Sequence, residues 1–323
     1  MTLETEALLD RRRLRRSMSF WRAAAVVALV VALAVVGVLA GGGARSSLFG
    51  KQQIARVSIE GMITESRSQL RMLRKLARDD EVAAVIFYVN SPGGTTTGGE
   101  ALFETIREIA KKKPVVAQFG TIATSAAYIA GLATDHIIAR GNTITGSVGV
   151  IFQWAEVSEL LGKVGVKMNE IKSGPLKAEP SPFHPLEPEG RETAQRMVAE
   201  SMSWFRGLVA ERRKVNTSAI PGLEQGRIFS GREALAHKLI DSIGGEPEVV
   251  SYLVKERGIG SGLKVVDWKP KTDDRLSFLG MATRGIARIL GISDFAGEWL
   301  SDQSPFAGLR VGGLVSVWQP SEK

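Results

Sequence analysis

The stretch VAAVIFYV at 82–89 constrains the fold more than any other part of the chain. Eight apolar or aromatic residues run together, and NSPGG at 90–94 stops them. A strand with one wet face alternates in polarity, whereas a strand covered on both faces does not. This run therefore predicts a central strand in a layered α/β domain. Its neighbours agree. IARVSIEGMI (54–63) reads as a strand stopped by Gly61, and SQLRMLRKLARDD (68–80) places apolar residues at helical spacing with charge opposite. A helix is expected from about Gly98 to Lys112, then strand PVVAQFG (114–120), helix SAAYIAGLA (125–133) and strand HIIA (136–139), with VKMNEIK (166–172) as a further strand. Such alternation implies a parallel sheet with right-handed crossovers, and chemistry in the loops at the strands' carboxyl ends.

Beyond that region, 187–216 reads as helical and charged. GRIFSGREALAHKLIDSIGG (226–245) and PEVVSYLVKERG (247–258) each hold a short helix, and LKVVDW (263–268) is a late strand. The tail contains an amphipathic segment, RLSFLGMATRGIARILG, whose plain reading is packing on the domain or on a neighbouring subunit. A helix lying on a membrane surface is the other reading.

The net charge of +8 suggests nucleic acid until it is located. Residues 1–22 carry six arginines against Glu4, Glu6 and Asp10, and the remaining excess is spread thinly, so no nucleic-acid footprint is expected. The arginines precede 22 uncharged residues, Ala23 to Ala44. At about 1.5 Å per residue, that helix covers roughly the 30 Å hydrocarbon core. Flanking arginines stay cytoplasmic, so the rest of the chain faces outward. The alternative is a cleavable signal peptide with VLA at 38–40 as its cleavage site; the length of the apolar run favours an uncleaved anchor. The expected organisation is a basic cytoplasmic segment (1–22), an anchor (23–44), a catalytic domain (50–258) and an extension (259–323). The chain has no cysteine, which excludes disulfides, thiolate metal sites and a cysteine nucleophile but leaves the compartment open.

Two stretches hold candidate chemistry. The glycines of NSPGG permit positive φ and close approach of a ligand to the main chain, although an ordinary tight turn reads the same way. No GxxxxGK[ST] phosphate loop is present. Ser125 in TIATSAAYIA stands where a strand gives way to a helix. There a serine is either an N-cap or an exposed nucleophile with the following N–H free for an oxyanion. The GxSxG elbow is absent, since Ala123 and Ala127 flank it. A nucleophilic serine needs a base. His136, His184 and His237 stand in no recognisable pairing with a distant Asp. A lysine serves if burial lowers its pKa from about 10.4 by roughly 3–5 units, and Lys172 and Lys177 in IKSGPLKAEPSPF are the candidates.

IARVSIEGMI, YVNSPGG, TIATSAAYIA, ATDHIIARGNTITGSVGVI, IKSGPLKAEPSPF and GRIFSGREALAHKLIDSIGG, in that order, resemble the signal peptide peptidase A (SppA) family from about 54 to 257. That is a family of membrane-anchored Ser-Lys peptidases with a Clp/crotonase-like fold. The resemblance implies Ser125 as nucleophile and Lys177 as general base, 52 residues on. Lys177 is preferred to Lys172 because the family lysine lies after the glycine of SG. It further implies that Ser147, in TGSVGV, orients the base, and that Gly94 and the N–H of Ala126 form the oxyanion hole. AAYIA in place of the usual double-tyrosine form, and TTTGG after NSPGG, are departures that bear on subsite shape. No metal or organic cofactor is expected. The implied function is endopeptidase action on remnant signal peptides or other apolar peptides, by a homo-oligomeric ring or dome held to the inner membrane through 23–44, its catalytic domain outside the cytoplasm. A membrane peptidase cutting stomatin-like partners, a crotonase-like acyl-CoA enzyme and a scaffold without activity are the alternatives.

Overall fold

The computed structural model describes residues 21, 24–29, 52–270 and 314–317. By contacts the chain divides into two units, 1–51 and 52–323. In the first, residues 24–29 are helical, with Val26, Val27 and Leu29 exposed. Among the described residues no helix is long and apolar enough to cross a membrane, and most of the expected span 23–44 lies outside them. The amphipathic tail segment also lies outside the described residues.

The second unit contains strands β1 (Gln53–Ile63), β2 (Val82–Thr95), β3 (Val115–Thr124), β4 (His136–Ala139), β5 (Ile144–Gly146), β6 (Ile151–Phe152), β7 (Ile228–Ser230), β8 (Ser242–Ile243), β9 (Val265–Trp268) and β10 (Leu314–Val317). Its helices are α1 (Arg67–Leu76), α2 (Thr96–Ala110), α3 (Ala126–Leu132), α4 (Ser158–Lys163), α5 (Pro188–Arg213), α6 (Gly231–Ala236) and α7 (Glu246–Lys255). The central sheet runs β9-β1-β2-β3-β4-β8, every neighbour parallel.

Both faces of this sheet are covered, which explains the unbroken apolar run. Phe87 and Val85 point to a large core with Leu73 of α1, Ile106 of α2 and Ile129 of α3, while Ala84 and Ile86 point to a smaller one closed by Val249 and Leu253 of α7. All of these side chains are essentially inaccessible to solvent, each large one contributing roughly 1.5–3 kcal/mol relative to exposure. Both clusters draw only on residues 54–268, so a chain beginning at Gln52 retains the whole described core. Local signals set the helix starts. Ser66 caps α1 by accepting from Gln69 N–H, Thr95 caps α2 by accepting from Gly98 N–H, and Ser230 with Glu233 forms a capping box on α6.

Four expectations are corrected. β1 does not stop at Gly61: the glycine takes φ +67 and the strand resumes with a register shift between Glu60 and Met62. β2 likewise continues through NSPGG, pairing Gly93 and Gly94 with Met62 and Ile63. The sheet is mixed rather than wholly parallel, because β5 pairs antiparallel with β7, and β10 pairs antiparallel with β2 and β6. Residues 166–172 form no strand; Val166, Met168 and Ile171 are exposed, and no ladder partner reaches this segment among the described residues.

Candidate active site

The carboxyl ends of β2 and β3 are tied together by side chains that reach across. Asn90 Oδ1 accepts from the N–H groups of Thr121 (3.1 Å) and Ile122 (3.3 Å). Thr124 Oγ1 donates to Pro92 O at 3.0 Å, and buried Ser91 Oγ accepts from Gly93 N–H at 3.1 Å. Gly94 lies so close to β1 that a Cβ there would sit 1.9 Å from Ile63 O. Only glycine permits this approach. Asn90 was not singled out by the sequence, where it looks like an ordinary turn residue.

Ser125 follows β3 directly and adopts φ 59, ψ −119, a conformation rare for a residue with a side chain. Its N–H donates to Gly146 O (2.9 Å) and its carbonyl accepts from Ile129 N–H (3.0 Å), so the backbone is held on both sides of the bend. The hydroxyl does not cap α3, which removes the plain N-cap reading. Ala126, the first residue of α3, is fully buried behind it. Such a sharp strand-to-helix bend aims a serine side chain at a strand's carboxyl end and leaves the following N–H directed to the same place.

Ser147 is brought alongside by register. β5 pairs parallel with the end of β3, Thr124 opposite Gly146, so Ser125 and Ser147 each follow one member of the same pair. Ser147 also has positive φ (52), and its N–H is fixed by Arg227 O at 2.9 Å. Beside it lies a groove of about 370 Å³ whose lining includes Val150, Ile151, Val198 and Met202. Along the rim, β10 fills the strip between β2 and β6: Val317, Ser316 and Val315 pair antiparallel with Gly93, Gly94 and Thr95, and Val315 also pairs with Ile151. An extended segment of the chain thus occupies a strand-shaped slot next to the bend.

The two candidate lysines differ sharply. Lys172 Nζ lies 2.8 Å from Glu170, 3.0 Å from Glu179 and 3.0 Å from His184 Nε2. Its hydrogen bond to Glu170, then that to Glu179, raises its pKa and holds it as a cation. A lysine so held is a poor base. Lys177 occupies an exposed turn in which its N–H donates to Gly174 O at 3.1 Å, and its Nζ makes no ion pair among the described residues. The histidines have structural surroundings. His136 stacks on Tyr252 and meets Ser242 Oγ at 3.2 Å, burial lowering its pKa, and His237 packs edge-on against Phe229. Among the described residues no group of acidic and histidine side chains could hold a metal ion.

The profile of Peptidase family S49 matches residues 107–260, and that of Clp protease matches 47–140. A protein of Enterococcus faecium bearing the name signal peptide peptidase SppA is 34% identical over 75% of this chain and 67% of its own length. A Synechocystis protein bearing the name protease is 31% identical over 65% of this chain and 76% of its own. The chloroplastic serine protease SPPA of Arabidopsis thaliana is 27% identical over 75% of this chain and 38% of its own. These likenesses span both the sheet and the Ser125 bend and set aside the acyl-CoA enzyme: the chain belongs to peptidase family S49, the SppA family, and is a serine protease.

Proposed function

We propose that Ser125 attacks the scissile carbonyl of an extended apolar peptide and that Lys177 is its general base. The observation that carries the reading is the Ser125 bend, a non-glycine residue at φ 59 whose hydroxyl does not cap the helix it precedes. As Ser125 attacks, neutral Lys177 takes the hydroxyl proton and then gives it to the leaving amine. A water deprotonated by the same lysine releases the acyl group. The N–H groups of Gly94 and Ala126 stabilise the oxyanion, and Ser147 orients the lysine. Lys177 is exposed in the single chain. Bound substrate or an adjoining subunit covering the turn supplies the desolvation that a lysine base requires. Exposed Leu160, Val164, Met168 and Ile171 on the segment that leads to it supply an apolar surface for such a subunit.

The rim slot suits a peptide added as a strand, and the groove beside Ser147, polar at Glu224 and Gln225, offers small to medium apolar side chains the wall of Val150, Ile151, Val198 and Met202. Remnant signal peptides, with their apolar cores, fit both. The enzyme acts as a homo-oligomer anchored through 23–44 with its catalytic unit outside the cytoplasm; the arginines before the apolar run support this orientation. Cleavage of an apolar fluorogenic peptide by the chain from Gln52 onward tests the assignment. Ser125→Ala and Lys177→Ala each abolish turnover, whereas Lys172→Ala leaves most of it. Full activity in Lys177→Ala sinks the dyad, and equal loss in Lys172→Ala undoes the choice of base.

A further inference from the structure

The end of the sheet opposite Ser125 carries a cluster of cations that the peptidase chemistry does not use. Arg71, Arg74 and Lys75 on α1, Arg78 just beyond it, and Lys111 and Lys112 after α2 are all exposed. Two adjoining open cavities, of about 690 and 420 Å³, share Arg74 and Arg78, so the six form one surface. Three acids, Asp79, Asp80 and Glu108, lie among them. Among the described residues none of the six cations forms an ion pair, although eight other arginines and lysines of the same unit do.

Helix electrostatics explains only part of this. Basic residues at a helix's carboxyl end offset the negative end of its dipole, and that accounts for Arg74 and Lys75 on α1 and for Lys111, the C-cap of α2, with Lys112 after it. It does not account for Arg71, a turn earlier on α1, or for the gathering of the α1 cations with Arg78 on the face opposite buried Leu70, Leu73 and Leu76. The place of the cluster is equally specific. Gln53 N–H donates to Glu81 O at 2.8 Å, so the chain enters the sheet beside the end of α1. Gln53 follows the close of the apolar run at Ala44 by nine residues, a tether of at most about 30 Å.

We propose that this face docks on the anionic phospholipid headgroups of the membrane. The inference rests on the anchored reading above for its geometry, but its chemistry is separable: a surface with an excess of unpaired cations complements a negatively charged bilayer. Each cation near such a surface strengthens binding by roughly fivefold, an effect that fades as salt shortens the Debye length.

Flotation of the chain from Gln52 onward, which lacks residues 1–51, with vesicles of phosphatidylcholine alone or mixed with phosphatidylglycerol provides the test. Binding only to the mixed vesicles, weakened by salt, is expected. The variant Arg71→Gln/Arg74→Gln/Lys75→Gln/Arg78→Gln should lose about a hundredfold or more. Removing four cations elsewhere, Arg191→Gln/Arg196→Gln/Lys214→Gln/Lys255→Gln, should change it by less than about threefold, since the effect is local. Equal loss in both variants, or none in the first, overturns the proposal. So does displacement by inorganic phosphate at constant ionic strength, which would mean a discrete anion site instead. Flotation of the full chain on phosphatidylcholine alone reads the anchor independently, so failure of one idea does not imitate failure of the other.

Discussion

Gly94→Ala turns the close pairing of β1 and β2 into a measurable effect on catalysis. The new Cβ would stand 1.9 Å from Ile63 O and 2.6 Å from Ile63 N, and contacts under 3.0 Å to backbone are not tolerated. The strands must part by about 1.1 Å at this pair, and Gly94 N–H moves with them. Loss of one oxyanion donor lowers kcat by about 10²–10³. Overpacking costs about 1–3 kcal/mol in addition. For a unit of this size that is a fall in Tm of roughly 2–12 °C, which leaves the enzyme folded at room temperature. Steady-state turnover of an apolar peptide, read beside a thermal melt, separates the two effects. A folded Gly94→Ala enzyme with kcat within about threefold of the parent would refute both the clash and the oxyanion assignment.

Two further outcomes follow from the same geometry. Ending the chain at residue 313 removes β10 from its slot beside Gly93–Thr95, so kcat/KM for a long peptide should rise by several-fold; an unchanged value would mean that substrate does not use this strip. Burial lowers the pKa of His136, between Tyr252 and Asp241, so the unfolded chain binds the extra proton first. Stability should therefore fall as pH drops below about 6.5, and His136→Gln should flatten part of that slope in melts between about pH 7 and 5. A slope identical in both proteins would discard the histidine as its source.

The central strands and the helices over them were legible because they are long and doubly covered. VAAVIFYV has no polar residue to mislead, and the leucines of α1 repeat at helical spacing. The short ladders escaped. β5 to β8 hold two to three residues each, too few for any periodicity, and exist because long-range partners align them. NSPGG reads as a turn from its composition, but β1 supplies partners that keep it extended. VKMNEIK reads as a strand, but no ladder partner reaches it among the described residues. At the site, Ser125 was visible by position, while its backbone conformation and its lack of a capping bond belong to tertiary structure. Lys177 is preferred to Lys172 by resemblance alone; what holds Lys172 as a cation, the convergence of Glu170, Glu179 and His184, depends on the path of an irregular loop.

Ser125 and Ser147 both hold positive φ with a side chain attached, and each such residue costs of order 1–3 kcal/mol. They are neighbours across one strand pair, held by Gly146 O and Arg227 O. The two bends are therefore loaded springs on a common mount, and the short β5–β7 ladder is the catch. Three residue pairs hold that catch, against ten between β1 and β2. Rising denaturant should release it while the main sheet still stands, so enzymatic activity would fade at a lower denaturant concentration than the cooperative loss of structure.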